Sequence, residues 1–411
     1  MHGATYFGLD LGTTKVGGVV GRVSGRYCEC LAAAMVPNRG LKQGMVADIA
    51  ETAQGIREVT ARLQRSVGVA LGPAWIGITG AQLTSATVRG AVCVAKPLRG
   101  VTFDDVQRAL AKADREMVLP PDREIVHSLP RAFRLDGLPG VANPVGMAGQ
   151  HLEVETHIVT ATTASLQNVE RALEQAGVAI ADIVAEPVAT GRAILAPDEQ
   201  DLGVAVLDIG GGTTDVAVFE KGSVCFTAAV PVAGQHITRD LAVGLRVSVD
   251  EAERIKVEHG TARAAQVAAD EELPIRTAGT DDLRVVARRS VAEIIEARVE
   301  EILDLVYQRL CDAKPPVRIP AGLVVTGGAA LLPGILELAE QRFGLPVRLG
   351  TPRVAGAFGS VVDSPVYATA VGLVAFADEV DGRARAPRIH GVETALHAMH
   401  EWWRSLVPWG S

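Results

Sequence analysis

The chain has 411 residues, of which 48% are hydrophobic and 21% charged, so it is long and apolar enough to build two sizeable cores. Its net charge of −8, with no run of lysine and arginine, argues against nucleic acid as a partner. The five cysteines are scattered, as expected for reduced thiols, and the nine histidines follow no metal-binding spacing. We find no signal peptide and no apolar run of about 20 residues, which predicts a protein made and kept in the cytoplasm.

The first predicted elements are three consecutive strands between residues 6 and 34. Two of them form a hairpin in YFGLDLGTTKVGGVV, whose first strand ends at Asp10. The turn of this hairpin contains Gly12, Thr13, Thr14 and Lys15. Apolar residues at helical spacing then predict a helix over 48–67, and a buried strand is expected over 74–79.

The sequence changes character between residues 86 and 162. A strand over 87–94 leads to Thr102, a good helix N-cap, and to a helix over 103–117. Two further strands are predicted over 124–135 and 152–162, on either side of a segment rich in glycine and proline. One helix with three strands indicates a small domain inserted into the main fold.

The main fold resumes with a helix over 165–176 and a strand over 180–185, after which Glu186-Pro187 begins another helix. A second hairpin follows in VLDIGGGTTDVAVF, where a strand ends at Asp208. The turn of this hairpin contains Gly210, Gly211, Gly212, Thr213 and Thr214. The order of parts repeats that of the first hairpin, except that Asp215 stands where the first hairpin has Lys15.

A glycine turn between two apolar strands is most simply an ordinary hairpin. The same residues also suit a phosphate, because glycine lets backbone N–H groups approach closely and threonine hydroxyls add donors. A carboxylate just before the turn can hold a hydrated Mg²⁺ bound to that phosphate. One hairpin alone leaves both interpretations open, but two of them favour a duplicated α/β unit that closes on one phosphate chain.

The second half of the chain continues the α/β pattern. The remaining predicted elements are helices over 234–244 and 249–260, loop or short strands over 264–282, a long helix over 290–313, a strand over 322–326, a helix over 331–343, a strand over 347–349 and a closing segment over 367–377. The strand over 322–326 runs into Gly327 and Gly328, a further glycine-rich turn from strand to helix.

The last residues differ from the rest. The stretch 378–390 is short, charged and rich in small residues, which predicts a flexible tether. Beyond it, an amphipathic helix is predicted, with three of the chain's four tryptophans in the last ten residues. The apolar arc contains Val392, Leu396, Met399, Trp403 and Leu406, with Trp402 on its flank. A helix docked on the body is one interpretation, and an in-plane membrane anchor with an unusually weak positive charge is the other.

Together these motifs resemble the superfamily of actin, heat-shock chaperones and sugar kinases. Within it the chain most resembles the FtsA family of bacterial cell-division proteins, on the two acidic hairpins, the TGG turn and segments such as HSLPRAFRLDG, LEVETHIVTA and AERIKVEHG. The resemblance covers residues 6–377. It implies an α/β, actin-like two-lobed fold with duplicated ribonuclease-H-like units, a small inserted subdomain and a C-terminal amphipathic helix.

The resemblance also implies how the chain is divided. The implied parts are subdomain 1A (1–85 and 163–196, with the closing helix 365–377), the inserted subdomain 1C (86–162), subdomain 2A (197–231 and 312–364), subdomain 2B (232–311), a linker (378–390) and a membrane-targeting helix (391–411).

A site for ATP and Mg²⁺ is implied in the cleft. Asp10 and Asp208 would act near Mg²⁺ through its waters, and Glu186 would orient the attacking water, although a carboxylate is also favoured at any helix N-terminus. Glu253 and Lys256 would face ribose and adenine, and a solvated helix face is the simpler interpretation of that pair. The other implied nucleotide-binding residues are Gly12, Thr13, Thr14, Lys15, Gly210, Gly211, Gly212, Thr213, Thr214, Gly234, Gly327 and Gly328.

The implied function is that of an ATP-binding protein, with at most slow ATPase activity, which polymerises at the cytoplasmic face of the cell membrane and anchors the FtsZ ring at the division site. The implied partners are the FtsZ C-terminal tail on 2B, further copies of the chain, membrane lipid at the terminal helix, and other division proteins. Two alternatives remain. One is a pilus-assembly protein like PilM, which lacks the terminal helix, and the other is a sugar kinase, which needs a sugar-binding insertion.

Overall fold

The structure, a computed structural model, describes residues 4–24, 27–279, 283–356 and 358–385. The predicted membrane helix over 391–411 and the end of the predicted linker lie outside these residues.

The N-terminal part of the chain forms most of one sheet and its first covering helix. The elements are β1 (Tyr6–Leu11), β2 (Lys15–Ser24), β3 (Tyr27–Pro37), β4 (Leu41–Lys42), β5 (Met45–Val46), α1 (Ile49–Val67) and β6 (Ala74–Ile78). Helix α1 begins where the Asp48 side chain accepts a hydrogen bond from the Glu51 N–H, and it ends at Gly68 in the left-handed conformation.

The next part of the chain forms a separate small sheet with one helix. Its elements are β7 (Thr84–Cys93), α2 (Phe103–Glu116), β8 (Arg123–Leu135), β9 (Leu138–Val141) and β10 (His151–Thr162). The strand order is β7-β10-β8-β9, and the residues beneath α2 form their own hydrophobic cluster. The predicted helix and three strands are confirmed, and the short strand β9 is an addition to the prediction.

The chain then returns to the first sheet and crosses to the second. The elements are α3 (Thr163–Ala176), β11 (Ile180–Ala185), α4 (Glu186–Ile194), α5 (Pro197–Leu202), β12 (Val204–Ile209), β13 (Thr214–Glu220), β14 (Ser223–Val230), α6 (Gly234–Leu245) and α7 (Val249–His259).

The last part of the chain completes both main sheets and adds a separate two-stranded sheet. The elements are β15 (Glu272–Arg276), β16 (Leu283–Ala287), α8 (Arg288–Cys311), β17 (Leu323–Thr326), α9 (Ile335–Phe343), β18 (Val347–Leu349), β19 (Val354–Ala355), α10 (Gly359–Val362) and α11 (Ala368–Arg385). The predicted helix over 331–343 is divided, because Pro333-Gly334 separates a short 3₁₀ turn from α9.

The two main sheets are built alike. The first has the order β11-β6-β1-β2-β3 with β19 at its edge, and the second has β18-β17-β12-β13-β14. In each sheet a hairpin of antiparallel strands (β1–β2 or β12–β13) lies next to a strand that runs parallel to the first of them. The same order and the same strand directions in both sheets confirm the predicted duplication.

Apolar residues arrange these elements in layers. Helices α1 and α3 cover one face of the first sheet, and α6, α8 and α9 cover one face of the second. A third cluster joins the two inner faces to α4 and α11. Helices α4 and α11 thus lie between the two sheets. The first residues of both helices lie next to the turns of the two hairpins.

Two predicted boundaries are wrong. The closing helix does not end at residue 377 but continues as α11 to Arg385, because Val380 still packs on the core and Glu379 forms an ion pair with Arg192 of α4 at 3.3 Å. Subdomain 2A does not extend to residue 364, because Val354–Ala355 pairs with β3 of the first sheet. The other subdomain limits stay predictions. Within the described ranges, none of the helices has the length and apolar character needed to cross a bilayer.

Candidate functional site

The turns of the two hairpins face each other across a cleft. An added Cβ on Gly211 would lie 2.5 Å from Cγ2 of Thr14 in the opposite turn, so the turns meet backbone to side chain. Between them lies a cavity of about 40 Å³, whose lining comes from both turns and from the starts of α4 and α11. The structure thus brings the predicted phosphate-binding residues of both hairpins to one place.

Backbone contacts hold the second turn rigidly. The N–H groups of Gly234 and Gln235, in the first turn of α6, donate to the carbonyls of Gly210 and Gly211 at 3.1 and 2.7 Å. The Thr214 hydroxyl donates to the Val232 carbonyl at 2.7 Å. Thr214 is therefore fully engaged within its own lobe, whereas Thr213 lines the cavity.

Lys15 is the cation of the cavity. Its Nζ lies 3.3 Å from Oδ2 of Asp10 and donates a hydrogen bond to the carbonyl of Val366, just before α11. Asp10, at the end of β1, is almost fully buried. The lysine thus connects the first hairpin to the segment that closes the fold.

Asp208 is held by two threonines. Its Oδ2 accepts hydrogen bonds from the hydroxyls of Thr190 in α4 and Thr369 in α11, each at 3.1 Å. Gly327, with φ +87°, allows the turn after β17 to pass close to Oδ1 of Asp208, where a side chain would collide. Burial, followed by the nearby charge of Asp10, raises the pKa of Asp208.

Glu186 is the first residue of α4 and lies under the cavity. It is 7% exposed, and its Oε1 has no hydrogen-bond partner among the described residues. Burial, and then the charges of Asp10, Asp215 and Asp208, raise the pKa of Glu186 well above its usual range.

Asp215, the second residue of β13, completes the acidic group. Its Oδ2 accepts a hydrogen bond from the Thr79 hydroxyl of the first lobe, and its Oδ1 is unpartnered within the described part of the chain. Burial raises the pKa of Asp215 to about 7, although the Thr79 hydroxyl acts in the opposite direction. This contact joins the two lobes directly beneath the turns.

Four carboxylates therefore surround a cavity that contains one lysine. Burial first, and neighbouring carboxylates second, raise the pKa values of Glu186, Asp208 and Asp215, so ionisation of these acids is unfavourable without a bound cation. Within the described residues, no three acidic, histidine or cysteine side chains are placed to ligate one ion directly. The carboxylates that line the cavity are of the kind that can hold a hydrated divalent cation through its waters.

A second cavity of about 260 Å³ continues from the first. Thr14, Gly210, Gly211 and Gly328 line both. The new walls come from Gly234 and Ile237 of α6, Glu253 and Lys256 of α7, and the segment after Gly328. The volume approaches the lower end for small-molecule cavities, roughly 300 Å³.

Glu253 and Lys256 form a connected pair on α7. Lys256 Nζ lies 2.7 Å from Oε2 of Glu253 and donates to the Thr238 hydroxyl at 2.8 Å. The Thr238 hydroxyl in turn donates to the Glu253 carboxylate. Both side chains line the second cavity, and the Glu253 side chain is at the same time half exposed to solvent.

Sequence reasoning missed several residues of this site. Thr79, Thr190 and Thr369 lie on separate elements, and only the fold brings their hydroxyls to Asp215 and Asp208. Asp215 could be noticed in the sequence, because it stands where the first hairpin has Lys15. Its burial could not be predicted from that pattern.

The fold and the paired hairpins define an actin-like protein. Among solved structures, the chain is similar to the PilM-PilN type IV pilus biogenesis complex, with a TM-score of 0.66, 18% identity and coverage of 91% of this chain and 98% of that one. It is also similar to MreB 5 of Spiroplasma citri bound to AMPPNP, with a TM-score of 0.57, 15% identity and coverage of 92% and 98%.

Sequence comparison is more specific. The family model "Cell division protein FtsA" matches residues 205–372, and "SHS2 domain inserted in FTSA" matches residues 80–160. The cell division protein FtsA of Pseudomonas aeruginosa is 36% identical, over 91% of this chain and 89% of that protein. The chain belongs to the FtsA family of cell division proteins. This membership confirms the predicted family and supports FtsA better than the PilM alternative, whose resemblance is in fold alone.

Proposed function

We propose that the two connected cavities bind Mg·ATP, with the phosphates between the hairpins and the nucleoside against α6 and α7. The observation that carries the proposal is the convergence of two unlike glycine–threonine turns on four carboxylates and one lysine. The MreB structure that shares this fold is described as bound to AMPPNP, an observation on that protein which supports the same use of the fold here.

The residues present fit this ligand. Gly12 and the glycines of the second turn let N–H groups reach phosphate oxygens, Thr13 and Thr14 add hydroxyls, and Lys15 adds a charge. Bound Mg²⁺ would neutralise phosphate charge and hold the attacking water in range. Asp10 and Asp208 would hold the waters of this ion, Glu186 would accept the one proton that the attacking water loses, and Asp215 would help to orient that water.

The cavity between the turns must widen to admit the phosphates. At about 40 Å³ it has room for roughly three water molecules. The turns meet through Gly211 and Thr14, so the two hairpins have to separate for a phosphate chain to enter. Nucleotide binding would therefore change the angle between the lobes. Equilibrium titration with fluorescent ATP, with and without Mg²⁺, tests the binding itself, and absence of saturable binding would refute it.

The division function follows from family membership and from the predicted tail. We propose that the chain polymerises in the nucleotide-bound state, that the amphipathic residues 391–411 lie in the cytoplasmic surface of the cell membrane, and that the filament anchors the FtsZ ring. The apolar arc of Val392, Leu396, Met399, Trp402, Trp403 and Leu406 supports the membrane contact. A single positive residue on the polar face predicts weak binding by one copy.

Replacing Glu186 with glutamine is expected to leave ATP affinity unchanged and to reduce hydrolysis by about 10²-fold or more, because the amide cannot accept the proton of the attacking water. The substitution should also raise Tm without nucleotide. The folded-state pKa of Glu186 lies above the unfolded value, so ionisation destabilises the fold as pH rises above about 4.5, and an amide removes this cost.

Phosphate release and thermal melting of wild type and Glu186→Gln measure both effects. Glu337, an acidic residue in the first turn of α9, supplies a control, since Glu337→Gln should change neither quantity. Unchanged turnover in Glu186→Gln would leave Glu186 as the first residue of a helix and nothing more.

The lobe formed by residues 232–311 is expected to bind the C-terminal tail of FtsZ. Arg298 of α8 is partly engaged, because its Nε lies 2.5 Å from Asp240 of α6, whereas Arg309 is exposed. Anisotropy titration of a labelled FtsZ tail peptide should saturate with wild type and weaken severalfold with Arg309→Glu. Arg65→Glu on α1 of the other lobe should bind as wild type does. No saturable binding to wild type would remove the FtsZ contact from this lobe.

A further inference from the structure

Strand β8 of the inserted sheet passes close to the cleft without lining it. Two of its residues, Arg123 and His127, hydrogen-bond groups that lead to Glu186 and Asp215. These are the two cavity carboxylates that have an unpartnered buried oxygen among the described residues. The contacts of β8 therefore converge on the two acids placed to hold a water.

His127 acts on the start of α4. The N–H of Ala185, the last residue of β11, donates to Nε2 of His127 at 3.0 Å. Strand β11 is at the edge of its sheet, Ala185 is fully buried, and α4 has no side-chain N-cap, so this N–H depends on the histidine for a partner. The bond fixes the residue immediately before Glu186.

The histidine itself is held in one state and one place. Burial lowers the pKa of His127 to about 4, so the ring is neutral and Nε2 is free to accept. The edge of the ring packs against Phe376 of α11, with the ring centres 5.5 Å apart. His127 is thus a rigid acceptor that belongs to the inserted sheet and acts on the first lobe.

Arg123 acts on Asp215 through two intermediates. Its Nη2 donates to the carbonyls of Gln82 and Thr160 at 2.6 and 2.9 Å, which joins β8 and β10 to the segment after β6. The Gln82 side chain donates to the Thr79 carbonyl, and the Thr79 hydroxyl donates to Asp215. Each step is a direct hydrogen bond between buried or partly buried groups.

We infer that β8 is a positioning element for hydrolysis: His127 places Glu186 through Ala185, and Arg123 places Asp215 through Gln82 and Thr79. The inference rests on the proposed Mg·ATP site. A partner that binds the inserted subdomain and shifts β8 would then change the rate of hydrolysis without touching the nucleotide. Because misplacement by about 1 Å can cost about 10²-fold in rate, a small shift is sufficient.

The test compares ground-state binding with binding of a transition-state analogue. Mg·ADP with aluminium fluoride needs the attacking water in place, whereas Mg·ATP does not. His127→Leu should bind Mg·ATP within about threefold of wild type, bind the analogue at least about tenfold more weakly, and lose turnover in proportion. His127→Gln, whose Oε1 can accept the hydrogen bond from Ala185, should recover most of the affinity for the analogue. Arg123→Met should bind the analogue as weakly as His127→Leu does.

The matched control is His157→Leu. His157 is also buried, lies on β10, and hydrogen-bonds Thr227 at 3.2 Å rather than the cleft. His157→Leu should melt at a lower temperature than wild type, but its ratio of affinity for the analogue to affinity for ATP should equal that of wild type. If His127→Leu does not fold, His127→Asn takes its place, because the shorter side chain moves the acceptor oxygen away from the N–H of Ala185.

The outcomes separate this inference from the proposed site. A folded His127→Leu or His127→Asn with an unchanged affinity ratio overturns the positioning role, as does equal loss in His157→Leu. Wild type that binds ATP but not the analogue also overturns it and leaves nucleotide binding standing. Wild type that binds neither refutes the proposed function itself.

Discussion

Replacing Gly211 with valine is expected to abolish measurable Mg·ATP binding while the protein stays folded. In the structure the new Cβ would lie 2.5 Å from Cγ2 of Thr14, and the branches of valine would extend into the space between the turns. Because the phosphates would need that space, opening the hairpins does not relieve the collision with the ligand. Calorimetric titration with Mg·ATP should give no heat of binding, against saturation for wild type.

Asp208→Ala should have a similar effect for a different reason. It removes the carboxylate that Thr190 and Thr369 orient and that would hold the waters of Mg²⁺. The loss is about 3 kcal/mol for a charged hydrogen-bonded group, or roughly 100-fold in affinity. Binding without Mg²⁺ should change much less.

A glycine outside both cavities provides the control. At Gly72 an added Cβ meets no atom within 4 Å, so Gly72→Val should bind Mg·ATP as wild type does. Circular dichroism and thermal melting establish that each variant is folded. If folded Gly211→Val and Asp208→Ala both retained wild-type affinity, the nucleotide could not lie between the two hairpins.

Deleting residues 392–411 is expected to release the protein from membranes while ATP binding stays intact. Trp403→Glu should do the same, because it places a charge in the middle of the predicted apolar arc. One weakly basic helix binds lipid only marginally, but a filament presents many of them, and linkage raises the overall affinity by roughly 10² to 10⁴. Partition between supernatant and liposome pellet measures the effect.

The control places the same charge on the other side of the predicted helix. Ser405 belongs to the polar arc of the sequence, so Ser405→Glu should reduce pelleting far less than Trp403→Glu. A truncated protein that still pelleted with liposomes would mean that residues 392–411 serve another purpose, such as docking on the folded body.

Most of the fold could be predicted because the local signals agreed with the global arrangement. The strands that contain Asp10 and Asp208 are otherwise apolar, their turns are rich in glycine, and the helices that cover them have apolar faces. The duplication was readable because the two hairpins repeat the same order of an acid, a glycine turn and two threonines. The pairing of β19 with the first sheet was not, since two residues carry no periodicity.

The end of the closing helix could not be read from composition. Residues 378–385 are charged and contain Gly382, which suggests a tether, yet α11 continues through them. Its continuation depends on contacts with other elements, among them the Arg192–Glu379 ion pair. Local propensity gave the wrong answer because packing overrode it.

The candidate site was predictable in its residue types but not in its electrostatics. The turns, Lys15 and the acids at the strand ends follow from sequence. The raised pKa of Asp215 does not, because it depends on burial between two lobes, which the Thr79 hydroxyl 136 residues away along the chain partly offsets. The contacts of His127 and Arg123 are of the same kind, since a strand of an inserted sheet acts on acids of the surrounding fold.

Sedimentation with liposomes, followed by electron microscopy of the pellet, tests the central claim most directly. With Mg·ATP, wild type should pellet and form filaments on the vesicle surface, and without nucleotide most of it should stay in the supernatant. Gly211→Val should stay in the supernatant in both conditions. Nucleotide-controlled assembly at the membrane would be contradicted if wild type pelleted equally with and without Mg·ATP and Gly211→Val pelleted as wild type does. The absence of filaments on the vesicles would belong to the same result.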